Sequence, residues 1–219
     1  MDLHRRRQLI EIVRRQFRLD WQGIHGVPHW GRVRWNGLAM ARVNGAREDV
    51  VELFAFLHDS QRFHDGTDRE HGARAADYAL ELNREVLRLD RPGLEMLTYV
   101  VRHHSDGLLD AHITVQTCWD ADRLDLGRVG KTPRVDKLCT KEARDPVLRE
   151  LAHRRSLRHA RAASTAGGSA RRGPGGQVLA HPRAGRRAGR EHDPRKHDLV
   201  ALDLRACRRK RPPRPLRRP

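Results

Sequence analysis

The sequence has little cysteine, and what it has is unpaired. Cys118, Cys139 and Cys207 are scattered with no C-x-x-C spacing, which argues against a disulfide framework and a thiolate zinc site and makes a reducing compartment, the cytoplasm, the expected home. Long apolar runs are also missing. Nothing approaches the roughly 18 residues of a membrane span, so no membrane partner is expected. The Arg-rich start MDLHRRRQLIEIVRRQF lacks the continuous apolar block of a secretory signal and, with Asp2 and Glu11 in it, reads as a first domain helix. Aromatic residues stop at Trp119, and acidic residues become rare after His153.

That last scarcity locates the charge. The chain of 219 residues carries +17, yet from His153 to Pro219 there are 20 Arg and Lys against 4 Asp and Glu, leaving 25 basic and 24 acidic groups for the first 152 residues. The body is nearly neutral, so the overall charge is not the signature of a nucleic-acid-binding body. Ala, Arg, Gly and Pro supply 42 of the last 67 residues, a composition that buries too little apolar surface to offset chain entropy. Two units are expected: a folded domain over 1–150, and a disordered basic tail over 151–219. The tail has two readings. A basic arm would bind nucleic acid through phosphates, with steep salt dependence. A frameshift in a GC-rich gene explains the abrupt change of composition better, because GC-rich codons encode these four residue types.

Within the body the apolar period is helical almost throughout, as in Leu9, Ile12, Val13 and Phe17, or Val50, Leu53, Phe54 and Leu57. Turn signals at Gly23 to Pro28, Gly45, HDGTD, DRPG and SDG divide it into helices near 2–19, 28–44, 47–59, 68–88, 92–104 and 114–127. The expected fold class is all-α, a compact helical bundle. The segment 130–146, with Pro133 and Pro146, reads as a loop and a short closing helix.

Four of these helices place a polar group on their buried face. His58 follows Val51 and Phe54; His104 follows Leu94, Leu97 and Val101; Asp122 lies between Cys118 and Leu126; His29 shares a face with Val33, Asn36 and Met40. One buried histidine is ordinary, but a buried carboxylate without a cation or several donors is costly. An ion held by imidazoles and carboxylates from facing helices would satisfy all four groups together.

The order His29, then His58 with Asp59, then Asp122 resembles the H…HD…D signature of the HD superfamily of metal-dependent phosphohydrolases. The contexts agree: HWGRV around His29, LFAFLHD before Asp59, and ADRL at Asp122. The resemblance covers about residues 25–130 and implies an HD-type helical fold in which His29, His58, Asp59 and Asp122 bind a first divalent metal. Some branches add histidines and bind a second metal with the Asp of the pair bridging. His71 and His104 occupy such places, His71 alternatively capping its helix or contacting substrate. His103 rivals His104, and His25 rivals His29.

Ligands of mixed nitrogen and oxygen without thiolate suit Mn, Fe, Co, Ni or Mg, one or two ions per chain. The implied activity is hydrolysis of a phosphorylated small molecule, a nucleotide or other phosphate ester, as a phosphomonoesterase or phosphodiesterase using metal-activated water. Asp59 is expected at the reacting centre, and Arg62 and Arg123 are the leading candidates for gripping phosphate. Some relatives with these ligands use a di-iron centre for oxidation, and a nucleic-acid or regulatory binding protein acting through the tail is the reading from a different class.

Overall fold

The computed structural model describes residues 1–168, with side chains to residue 157; the tail expectation for 169–219 lies outside the described residues. Helices α1 (Leu3–Gln16), α2 (Val27–Asn44), α3 (Glu48–Leu57), α4 (His71–Leu82), α5 (Arg91–Arg102), α6 (Ile113–Arg123), α7 (Lys141–Arg144) and α8 (Pro146–Gly168) follow in order, and the described residues contain no strand. A π-helical turn, Asn83–Leu87, extends α4, and short 3-10 turns cover Leu126–Val129 and Val135–Lys137.

Local chemistry sets the ends. Asp2 Oδ1 accepts from Arg5 N at 2.9 Å and Asp90 Oδ1 from Gly93 N at 3.0 Å, capping α1 and α5 by satisfying amides that have no partner within the helix. Gly45, at φ 76°, closes α2 in the left-handed conformation that only glycine adopts freely. The core is the shared apolar face of α2, α3, α5 and α6. Phe54, Leu57, Leu97, Val101, Val115 and Trp119 are each fully buried, and such side chains contribute about 1.5–3 kcal/mol apiece.

Two glycines allow the approaches on which the site depends. A Cβ at Gly37 in α2 would lie 2.5 Å from Val51 Cγ1 in α3, and one at Gly72 in α4 would lie 2.6 Å from the Arg102 carbonyl oxygen at the end of α5. The first draws together the helices of His29 and His58, the second those of His71 and His104.

The closing helix α8 runs straight through residue 150, the expected end of the folded domain. Ala152 and Ser156 are buried, and a Cβ at Gly127 would meet Ser156 Oγ at 2.0 Å and His153 Nδ1 at 3.0 Å. Arg155 lies over the Trp35 ring at 3.3 Å from its centroid. The packed unit therefore includes the first turns of α8, where Ala152 and Ser156 are buried although the composition is Arg-rich.

Candidate metal centre

The third helix ends in a histidine and a carboxylate because the bundle brings other polar side chains to meet them. His58 is the C-terminal cap of α3, its ring stacked on Phe54 at 4.8 Å, and its Nε2 lies 3.0 Å from His29 Nε2 of α2. The Asp59 Oδ2 atom is 3.6 Å from each of these nitrogens, and Asp122 Oδ1 of α6 is 3.4 Å from His29 Nε2 and 3.9 Å from His58 Nε2. On the other side of the same carboxylate, Asp59 Oδ1 is 3.4 Å from His71 Nε2 and 3.7 Å from His104 Nε2. These two nitrogens are themselves 2.9 Å apart. Two three-residue nests, His29 with His58 and Asp59, and Asp59 with His71 and His104, thus share one carboxylate, and every member is buried.

The four rings are oriented from behind. His58 Nδ1 donates to the Phe54 carbonyl at 3.1 Å, His104 Nδ1 to the Val101 carbonyl at 2.7 Å, and His71 Nδ1 to the Asp68 carbonyl. His29 Nδ1 donates to Asp125 Oδ2 at 2.7 Å, and Arg32 grips Asp125 through two bonds of 2.6 and 2.9 Å. With each proton on Nδ1, the Nε2 lone pairs all turn inward, the arrangement of metal-ligating histidines. Two such lone pairs facing each other at 3.0 Å repel unless a cation lies between them. The buried Asp122 Oδ1 atom, which accepts no hydrogen bond, tells the same way, since buried carboxylate oxygens are rarely left without a donor or an ion.

The protonation states suit ligation. Burial, ahead of the charge on Arg128, pushes His29 well below its ordinary range, and burial holds His58 at about 4. For Asp59 burial acts upward but is outweighed by the neighbouring His58, His104, His25 and His71, so the carboxyl titrates well below its usual range. Asp122 is likewise lowered, with Arg128 the leading cause opposing burial. For His104 burial acts downward, but the negative charge of Asp59, 3.7 Å away, prevails and raises it. At neutral pH the first nest holds neutral imidazoles and ionised carboxylates.

The structure brings together His29, His58, Asp59, His71, His104 and Asp122. His103 turns away: its ring packs on Tyr99 and its Nδ1 bonds Asp106 Oδ2 at 2.7 Å. Arg62 reaches the centre, its Nε 2.9 Å from Asp59 Oδ1. Arg123 does not join them. Its guanidinium bonds the Leu108 and Lys137 carbonyls and Cys139 Sγ, and its ion pair is with Asp120 at 3.7 Å. Sequence reasoning missed Asp125 and Arg128. Arg128 is buried, with Nη2 3.5 Å from Asp122 Oδ1. Their spacing from Asp122, three and six residues along, was the available signal, but the helix breaks between them into a 3-10 turn.

Among solved structures, the chain is similar to a crystal structure described as a predicted HD superfamily hydrolase, from an uncultured Thermotogales bacterium. The two share 25% identity at a TM-score of 0.54, over 73% of this chain and 91% of that one. No family model and no curated protein matches. The likeness is distant. The fold is an all-helical bundle that matches the HD-domain architecture, and its two buried His/Asp clusters are consistent with metal-dependent hydrolytic chemistry in general. No helix among the described residues is long and apolar enough to cross a membrane.

Proposed function

We propose that the protein is a metal-dependent phosphohydrolase acting on a nucleotide or another phosphate ester. The observation that carries the reading is the charge balance of the centre. Asp59, Asp122 and Asp125 are met by Arg62, Arg128 and Arg32, at 2.9, 3.5 and 2.6 Å respectively, so the protein has already neutralised its own carboxylates. Any divalent ion held by the nests is then left with positive charge to be balanced by an anionic substrate, and a phosphate ester supplies that charge.

His29, His58, Asp59 and Asp122 would hold a first ion, and Asp59, His71 and His104 a second. Mn, Fe, Co, Ni or Mg fit a ligand set of imidazole and carboxylate. A divalent metal there supplies Lewis acidity and a water of lowered pKa. The chain's own residues keep His29 and His58 unprotonated, hold Asp59 and Asp122 ionised and fix the ring orientations. Arg62 anchors Asp59 at the edge of the loop over residues 60–70.

The sharing of Asp59 between nests also suits a pair of irons, so oxidative chemistry on the same ligands is the second reading. One experiment separates them. Purified protein is loaded with each of the five metals and assayed on a panel of nucleotides and simple phosphate esters, with oxygen consumption followed for the iron form. The proposal expects metal-dependent phosphate release that Asp59→Ala abolishes. Oxygen uptake without phosphate release would establish the oxidative reading, and loaded protein inert on every ester would refute the hydrolytic one.

A further inference from the structure

We infer that His25 is a positioning residue for the shared carboxylate: with Arg62 it fixes the rotation of Asp59 so that one oxygen serves each nest. The inference rests on the metal-centre reading above and concerns how the chain builds that centre.

The carboxylate of an aspartate rotates over a broad torsional well, so a bridging orientation has to be set by its neighbours. Here each oxygen has one dedicated donor. His25 Nδ1 lies 2.8 Å from Oδ2, the oxygen of the first nest, and Arg62 Nε lies 2.9 Å from Oδ1, the oxygen of the second. An ionised carboxylate only accepts, so both nitrogens donate, and each oxygen keeps a further lone pair for its nest. Rotation of the carboxylate would break both bonds. Without His25, Oδ2 would have no oriented donor, because His29 and His58 face it at 3.6 Å with Nε2 atoms whose protons reside on Nδ1.

His25 is itself held by a built loop. It is buried, at 6% exposure. On one side of it, the Ile24 carbonyl accepts from Arg128 Nε at 2.9 Å. On the other, Gly26 passes so close to the preceding turn that a Cβ would lie 2.2 Å from the Trp21 carbonyl oxygen. The Val27 amide donates to that same oxygen at 2.9 Å, and the Trp21 ring packs edge-on against Phe17 and Trp30 at 5.8 and 5.2 Å. A loop so pinned to α1, α2 and the 3-10 turn after α6 presents the imidazole at one place. Arg128 thereby ties the His25 loop to Asp122, which it also neutralises.

The test uses the full chain, stripped of metal and titrated with Mn(II) by calorimetry and with Co(II) by its visible absorption, in wild type, His25→Phe and His25→Asn. Phenylalanine keeps the ring volume and removes the donor; asparagine keeps a donor nitrogen at the Nδ1 position. His25→Phe is expected to weaken metal binding by about 10–100-fold, the usual consequence of losing a partner behind a ligand, and to change the Co(II) spectrum. His25→Asn should stay within about threefold of wild type, the larger loss above being the scale for comparison. Wild-type affinity in His25→Phe overturns the inference. So does an equal loss in both variants, which would make the imidazole a ligand in its own right. If His25→Phe fails to fold by circular dichroism, His25→Asn alone decides, a loss of more than about tenfold there overturning the inference. A wild-type protein that binds neither ion defeats the metal reading instead, and is distinguishable because no variant is needed to see it.

Discussion

Acid should destabilise the metal-free protein well before its carboxylates protonate. His58 titrates near 4 in the folded chain because it is buried, but near 6.5 once the chain unfolds. Between those values the unfolded state binds a proton that the native state refuses, so stability falls as pH drops from about 6.5 toward 4. A displacement of about 2.5 pH units corresponds to roughly 3 kcal/mol. His29 is shifted in the same direction by burial, so it steepens the fall over the same window. Against a typical domain stability of about 5–15 kcal/mol, the His58 contribution alone is a substantial fraction. The raised His104 acts oppositely: its contribution is present below the unfolded value and is lost as pH rises through the folded one. Urea unfolding in chelator at a series of pH values from 7 to 4.5 measures the slope. Stability independent of pH across that window would refute the assignment of neutral, buried imidazoles.

Gly72→Ala should force α4 from α5, since the new Cβ would lie 2.6 Å from the Arg102 carbonyl; it should reduce metal bound at the second nest while sparing the first, read by metal analysis. Asp125→Ala should weaken binding at the first nest by about 10–100-fold, because His29 Nδ1 loses its 2.7 Å partner, and calorimetry checks it. Ending the chain after Glu150 should lower the unfolding temperature and metal affinity, because it removes Ser156 and His153 from Gly127, next to the buried Arg128. Ending it after Gly168 should keep both. Equal behaviour of the two truncations would show that α8 does not support the site.

The bundle was legible wherever burial and the helical period coincide. The stripe Val51, Phe54, His58 has the ring buried on Phe54, and the run to His104 sets that residue inside and leaves its neighbour on Asp106. Helix ends were read a residue or more too long, as at Arg102 and Arg123, because ends are decided by capping geometry that apolar spacing does not record. The supporting side chains were less legible. Asp125 and Arg128 sit past the end of α6, and His25 lies in a loop before α2; their roles come from chain reversals that no periodicity encodes. From residue 151 the Arg-rich composition of α8 reads as tail, because composition conceals the buried Ala152 and Ser156. Arg123 stood beside Asp122 in sequence, but the helix points it toward Lys137 and Leu108.

The most direct test is metal content. Protein purified without chelator, and a His58→Ala/Asp59→Ala double variant prepared in parallel, are analysed by mass spectrometry for bound divalent ions. The account predicts a stoichiometric ion in the wild-type chain and none in the variant; equal metal in both, or none in either after incubation with Mn, Fe, Co, Ni and Mg, would contradict it.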